Sequence, residues 1–156
     1  PCIAALAGIP AGRLTDRWGS YATTLGGLLC MLAGCLMLVL LPLGAAGYIG
    51  ALVILTLGYA HFQAANNTAV MSNLSADRRG VIAGWLNLSR NLGLIIGAWA
   101  LGAVFAWGTG DIHSALPPEV GQGLHMAFGV ASGLVALALL LAFTRRVKTL
   151  QASTAP

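Results

Sequence analysis

Four long apolar stretches constrain this chain more than any other feature of its sequence. They cover residues 22–41, 48–70, 81–107 and 124–143. A helix of about 20 residues crosses the roughly 30 Å hydrocarbon core of a bilayer, so each stretch is long enough to span it. Lipid offers no hydrogen-bond partner to an open strand, and the stretches lack the alternation of a membrane β-barrel. The sequence therefore predicts an all-α integral membrane protein with four complete transmembrane helices.

The composition supports this interpretation and excludes several classes of function. Of the 156 residues, 58% are hydrophobic and only 8% are charged, whereas a soluble domain carries roughly 25% charged residues. A soluble enzyme and a disordered tail are therefore excluded. The net charge of +4 would fit a protein that binds nucleic acid, but the positions of the charges give it another meaning.

The basic residues are concentrated in alternate connections between the apolar stretches, which predicts the orientation of the helices. Seven of the eight lie outside those stretches: Arg13, Arg17, Arg78, Arg79, Arg145, Arg146 and Lys148. Cytoplasmic loops carry an excess of Lys and Arg. We therefore predict that residues 10–21, residues 74–80 and the tail 144–156 are cytoplasmic. The protein would be a multi-pass protein of the cell inner membrane. Its partner would be the lipid bilayer, and we predict no binding to nucleic acid.

Residues 1–9 are apolar but form only about 13 Å of helix, which is too short to span a membrane. Because the next connection is predicted to be cytoplasmic, we interpret them as the end of a truncated helix. Residues 1–156 would form a single membrane domain. We expect this domain to be a C-terminal piece of a longer polytopic protein, whose N-terminal part would be a further partner.

A polar connection flanked by glycines leads from this helix end to the first complete helix. By its spacing alone it is either an ordinary turn or a loop that holds two helices in one arrangement and releases them in another. With Gly12, Leu14, Asp16, Arg17 and Gly19, it resembles the G-x-L-a-D-R-x-G signature loop of the major facilitator superfamily. Ser20 and Tyr21 stand where that motif usually continues with basic residues, as expected of its weaker second copy. The resemblance implies a conformational-switch loop with five matching residues: Gly12, Leu14, Asp16, Arg17 and Gly19.

A longer resemblance lies in the second and third apolar stretches. Residues 58–71, 79–81 and 86–94 are similar to the late helices of the fourteen-helix drug/proton antiporter branch of that superfamily. This resemblance implies a secondary active transporter that exports drugs or other small, partly hydrophobic molecules by alternating access. The energy source would be the proton gradient, with no cofactor and no enzymatic reaction.

Two alternatives to transport stay open, namely a membrane scaffold or assembly subunit and, with less support, a membrane-embedded enzyme. Cys30 and Cys35 fit no zinc or disulfide spacing. Asp111, His113 and Glu119 are better explained as a polar outer connection than as a metal site. We therefore predict neither catalytic residues nor metal ligands.

The second helix carries a polar face that we interpret as the substrate cavity. Tyr59, Gln63 and Asn66 are spaced at i, i+4 and i+7 and share one side of a helix, with Asn67 beside them. Amides and an aromatic ring suit a cavity that recognises varied molecules by hydrogen bonds and stacking. The alternative is that the amides join helices, each contributing about 0.6 to 2 kcal/mol. His61 lies off this face and is interpreted as a packing residue.

Arg90 is the one charged residue within the predicted spans. Together with Asn87 and Asn91 it is assigned to gating or to polar contacts between helices. Its counter-ion would be Asp16, Asp77 or a residue outside this chain. The carboxylate that proton coupling needs is expected upstream, because all four acids fall in loops. The same helix has small residues that would allow another helix to approach closely: Gly84, Gly93, Gly97 and Gly102.

Overall fold

Four α-helices make up the described part of the computed structural model, which comprises residues 2–41, 44–72, 74–110 and 116–153. They are α1 (Cys2–Leu40), α2 (Ala45–Met71), α3 (Ala76–Thr109) and α4 (Pro117–Ser153). Each contains a segment long and apolar enough to cross a membrane, and no strand occurs within these ranges. The predicted all-α membrane fold with four spans is confirmed.

The connection predicted at residues 10–21 is not an extended loop. Helical backbone runs from Cys2 to Leu40 with one interruption, at Gly19, where φ is 81° and ψ is 155°. This conformation is essentially restricted to glycine. Residues 13–18 stay helical because they include neither glycine nor proline, and Thr23 Oγ1 donates to the Gly19 carbonyl at 3.1 Å just beyond the break. A break of one residue therefore replaces the predicted loop.

Helices α3 and α4 extend beyond the apolar stretches from which we predicted them. α3 begins at Ala76 rather than at residue 81, and α4 runs from Pro117 to Ser153 rather than from residue 124 to 143. Proline fits the first turn of a helix, where its missing N–H has no partner to lose. Residues 144–153 contain no glycine or proline that would end the helix. Hydropathy thus locates the part of a helix that crosses the membrane, but not its ends.

The helices pack side by side in the order α2, α1, α4, α3. Contacts are most extensive between α1 and α2, and they are smaller between α3 and α4 and between α1 and α4. Although α2 and α3 follow one another in sequence, they barely touch. These two helices therefore form the walls of a cleft.

Glycines determine how closely α1 and α2 approach. A Cβ placed on Gly27 would lie 2.6 Å from the Phe62 amide nitrogen and 2.8 Å from the Gly58 carbonyl oxygen. A Cβ on Gly58 would lie 2.6 Å from the Met31 amide nitrogen. The two backbones leave no room for a side chain at these positions, as in the close packing that small residues allow between membrane helices.

The glycines in the middle of α3 do not have this role among the described residues. At four of them, an added Cβ would meet no atom of a neighbouring helix within 4 Å: Gly84, Gly93, Gly97 and Gly102. The close approach predicted for them is not made by α1, α2 or α4. Instead, α3 meets α4 near its C-terminal end, where a Cβ on Gly108 would lie 2.9 Å from the Gly123 Cα.

Candidate functional site

The cleft between α2 and α3 contains a cavity of about 260 Å³. All four residues predicted to form the substrate cavity line it, and Arg90 lines it from the facing helix. The cavity is therefore built from the polar residues of two helices that are adjacent in sequence but not packed together. Its lining is Tyr59, Phe62, Gln63, Asn66, Asn67, Leu86, Ser89 and Arg90.

The two sides of α2 explain why these side chains reach the cleft. Ala51, Gly58 and Ala65 are buried, and Gly58 contacts α1 directly. Their spacing of seven residues keeps them on one side of the helix. At about 100° per residue, Gln63 and Asn67 are rotated from Gly58 by about 140° and 180°. Packing of the small residues against α1 thus turns the amides toward α3.

Arg90 extends across the cleft from α3 and contacts two amides of α2. Its Nη2 donates to Asn67 Oδ1 at 3.2 Å. With the Gln63 amide oriented so that its oxygen faces the cation, this oxygen lies 2.8 Å from Nε and 3.0 Å from each Nη. An atom almost equidistant from three nitrogens lies over the face of the planar guanidinium. Gln63 therefore covers the cation, and Asn67 accepts a hydrogen bond at its edge.

The partners of the Arg90 guanidinium among the described residues are neutral amides and not carboxylates. Asp77 is exposed in the first turn of α3, about 20 Å along the helix from Arg90. Asp16 is exposed on α1. Neither of these two suggested counter-ions pairs with Arg90 in the part of the chain that is described. A charge held by amides alone at membrane depth is costly, and such a residue is by default a candidate for function.

Asn87 and Asn91 take no part in this cluster. Both are exposed on α3 and lie outside the cavity lining. Neither makes an interhelical hydrogen bond to another described residue. They lie three residues before and one residue after Arg90, so they are turned about 60° and 100° away from it on the helix. Their assignment to gating or to contacts between helices stays a prediction.

The residues of the predicted switch loop lie around the break in α1. Gly19 forms the break, Asp16 and Arg17 are exposed just before it, and Gly12 is half-buried. The side chain of Leu14 lies outside the described residues. The predicted loop is thus a short, mostly helical segment that leads to one interrupted position, and its switching role stays a prediction.

Comparison with known families decides the class of protein. The family model for the Major Facilitator Superfamily matches residues 1–98, which is more than half of the 156 residues. This chain belongs to the major facilitator superfamily. The matched region includes α1, α2 and the part of α3 that carries Arg90, and hence both walls of the cavity. No curated protein and no solved structure gives a significant match.

Membership of the superfamily indicates a multi-pass membrane protein of a family of small-molecule transporters. It also agrees with the prediction that the protein is not an enzyme. The α2–α3 cavity of this facilitator has groups for binding: amides, two hydroxyls, one cation and two aromatic rings. The described residues contain no group of His, Cys, Asp and Glu that could hold a metal ion.

Three residues of the facilitator's cavity escaped the sequence prediction, Phe62, Leu86 and Ser89. Phe62 lies three residues after Tyr59 and four before Asn66, so the same helical spacing would have placed it on the cavity side. Leu86 gave no signal, because a leucine in an apolar stretch is expected on every face. Phe62 and Leu86 add apolar surface beside the amides, hydroxyls and guanidinium of the other lining residues.

A second cavity, of about 300 Å³, lies between α1 and α2 of the facilitator. Its lining is largely apolar and includes Trp18, Leu57 and His61. The His61 Nδ1 atom lies 2.8 Å from the Leu57 carbonyl oxygen, so this ring nitrogen bonds to its own helix. This arrangement agrees with the interpretation of His61 as a packing residue.

Proposed function

We propose that this facilitator exports small, partly hydrophobic molecules in exchange for protons, as a multidrug-type antiporter of the cell inner membrane. The observation that carries the proposal is the α2–α3 cavity, where Tyr59 and Phe62 stand beside Gln63, Asn66 and Arg90. Aromatic rings bind flat apolar groups by stacking, and a few polar groups orient the ligand. Family membership supports transport, and the lining of the cavity suggests the chemistry of the cargo.

Alternating access is supported by the unequal contacts of α2. This helix is packed closely against α1 at Gly27 and Gly58 but barely touches α3. In our proposal α3 moves relative to α2 without disturbing the close contact with α1, as in the rocking of one helix group against another. The contacts from Arg90 to Gln63 and Asn67 would be present in one state and broken in the other. The break at Gly19, next to Asp16 and Arg17, would be a second point of movement.

Proton coupling requires a carboxylate that titrates within the membrane. Asp16, Asp77 and Glu119 are exposed and lie near helix ends or the break in α1, and Asp111 lies outside the described residues. Glu119 Oε2 also accepts from the Leu116 backbone N–H at 2.8 Å. We therefore assign the proton carrier to the N-terminal part of the transporter that we expect to precede these helices. The C-terminus would lie on the cytoplasmic side.

Proton exchange is tested with the full-length protein as encoded, reconstituted into liposomes that contain the pH-sensitive dye pyranine. The compounds are ethidium, 2-naphthalenesulfonate and 2-naphthyltrimethylammonium, all permanently charged, so that none carries protons across the bilayer by itself. We expect at least one of them to cause a change in internal pH that empty liposomes lack and that a protonophore abolishes. Transport of a compound without any change in pH would contradict proton exchange.

The role of the amides is tested by Gln63→Ala and Asn66→Ala in the same liposomes. The matched control is Gln122→Ala, which changes an exposed amide on α4. We expect the two cavity variants to change the relative transport rates of the three compounds by about tenfold, at normal protein yield, because each removes a hydrogen-bonding group from the ligand site. If only the yield falls, the amides join helices and do not contact the cargo.

A further inference from the structure

No opposite charge among the described residues balances the charge in the α2–α3 cavity. Among the described residues that line the cavity, Arg90 is the only charged side chain. The groups that contact its guanidinium are the neutral amides of Gln63 and Asn67. An amide supplies a dipole and not a full negative charge, so the cation is only partly compensated at a depth where charges are costly.

The guanidinium also keeps most of its hydrogen-bonding capacity. Its several N–H donors lie in one plane and are directed outward from the edges of the group. The Gln63 oxygen covers the face, and among the described residues Asn67 accepts at the edge from Nη2. The remaining edge is of the kind that binds an anionic group through two parallel hydrogen bonds.

We infer that the cargo of this facilitator is an amphipathic organic anion, whose carboxylate or sulfonate group pairs with Arg90. Its apolar body lies against Tyr59, Phe62 and Leu86, which line the same cavity. The inference rests on the proposed function, because it names the substrate class of the same site. In the empty cavity, Gln63 and Asn67 stabilise the cation, and the anionic group takes over this role when cargo binds.

The size of the cavity restricts the apolar part of this ligand. Its volume of about 260 Å³ is slightly below the roughly 300 to 1,000 Å³ that is usual for ligand sites. A body of one or two fused aromatic rings fits this volume, and such rings stack on Tyr59 and Phe62. Two naphthalene compounds with opposite charges therefore make a matched pair of probes.

The test measures binding of radiolabelled 2-naphthalenesulfonate and 2-naphthyltrimethylammonium to the full-length protein in phosphatidylcholine nanodiscs, without a proton gradient. We expect the wild-type protein to bind the sulfonate at least about tenfold more tightly, as a charge-assisted hydrogen-bonded pair at a desolvated site implies. Equal binding of the two probes, or tighter binding of the cation, overturns the inference. This comparison needs no variant, so it does not depend on how a substitution affects folding.

The variant Arg90→Gln is expected to weaken sulfonate binding by about 10- to 100-fold and to leave binding of the ammonium probe unchanged or stronger. Arg90→Lys keeps the charge but not the planar group, so a smaller loss is expected. The matched control Arg78→Gln removes an exposed arginine of α3 and should leave both affinities unchanged. Equal losses for both probes in Arg90→Gln would show a structural role and overturn the inference.

Nanodiscs that contain anionic phosphatidylglycerol distinguish a soluble cargo from a lipid headgroup. The inference requires that sulfonate binding persists in them; loss of binding there would assign Arg90 to a lipid and overturn the inference. The liposome experiment separates this result from the proposed function. Proton movement with ethidium but no preference for the sulfonate would leave proton exchange standing without the anionic cargo. A preference for the sulfonate without any proton movement would support the anionic cargo and contradict proton exchange.

Discussion

Against α1, helix α2 packs backbone to backbone, since a Cβ on Gly58 would lie 2.6 Å from the Met31 amide nitrogen. Against α3, the same helix makes few contacts, and a cavity of about 260 Å³ separates them. Among the described residues, the hydrogen bonds across this cleft come from the Arg90 side chain. One helix therefore has a side built for close packing and another side that leaves space.

The difference between these two interfaces shows how a membrane bundle can be rigid on one side and adaptable on the other. Close packing of small residues gains van der Waals contact, which is lost as soon as the helices separate. A long side chain such as that of Arg90 keeps its hydrogen bonds over a range of helix separations. We therefore expect substitutions on the α1 side to affect folding, and substitutions on the α3 side to affect ligand binding more than folding.

The largest effect is expected at Gly27, in the α1–α2 interface. In Gly27→Ala the new Cβ would lie 2.6 Å from a backbone nitrogen of α2, and a backbone atom cannot move aside as a flexible side chain does. We expect a loss of about 3 kcal/mol or more, at the upper end of the range for overpacking. Thermal unfolding of the purified full-length protein, followed by loss of the monodisperse peak in size-exclusion chromatography, measures this effect.

The neighbouring Gly26→Ala is the control for this prediction. Apart from its chain neighbours and its own helix backbone, no described atom lies within 4 Å of a Cβ at Gly26. Alanine also favours a helix over glycine by up to about 1 kcal/mol. The two adjacent variants should therefore change the stability in opposite directions. If both stabilise the protein, the close approach of α1 and α2 does not exist in the membrane.

The next largest effect is expected in the rates at which cysteines on the two sides of α2 are labelled. Ala65 has no exposed surface and lies on the α1 side, whereas the adjacent Asn66 lines the cavity. In a background with serine at every native cysteine, Asn66→Cys should react with a water-soluble maleimide at least about tenfold faster than Ala65→Cys, because a buried thiol is shielded from the reagent. Similar rates for the two variants would mean that the cleft is not open to water.

The sequence was sufficient to predict the features that a membrane or helical geometry imposes directly. The apolar stretches predicted four spans because lipid selects apolar side chains along the whole crossing. The spacing of Tyr59, Gln63 and Asn66 predicted a shared face because helical geometry is fixed, and the structure places all three in one cavity. Neither prediction depended on where the neighbouring helices lie.

Features that depend on the distance between helices could not be predicted in this way. Gly27 and Gly97 look equivalent in sequence, yet a Cβ on the first would meet the backbone of α2. A Cβ on the second would meet no described atom of another helix within 4 Å. Likewise, the sequence suggested a carboxylate as the partner of Arg90, whereas the described partners are Gln63 and Asn67. Composition favours opposite charges, but the relative position of α2 and α3 decides which groups meet.

The smallest expected effect is the energetic coupling between Arg90 and Asn67 across the cleft. A double-mutant cycle with Arg90→Ala, Asn67→Ala and the combined variant isolates this hydrogen bond, which spans 3.2 Å. We expect a coupling of about 0.6 kcal/mol and no more than about 1.7 kcal/mol, the range of interhelical hydrogen bonds measured in a membrane protein. Because Gln63 also contacts the guanidinium, the effect of Arg90→Ala alone should exceed that of Asn67→Ala. A coupling much above this range would mean that the α2–α3 contact holds the fold together as the α1–α2 contact does, and the contrast between the two sides of α2 would be lost.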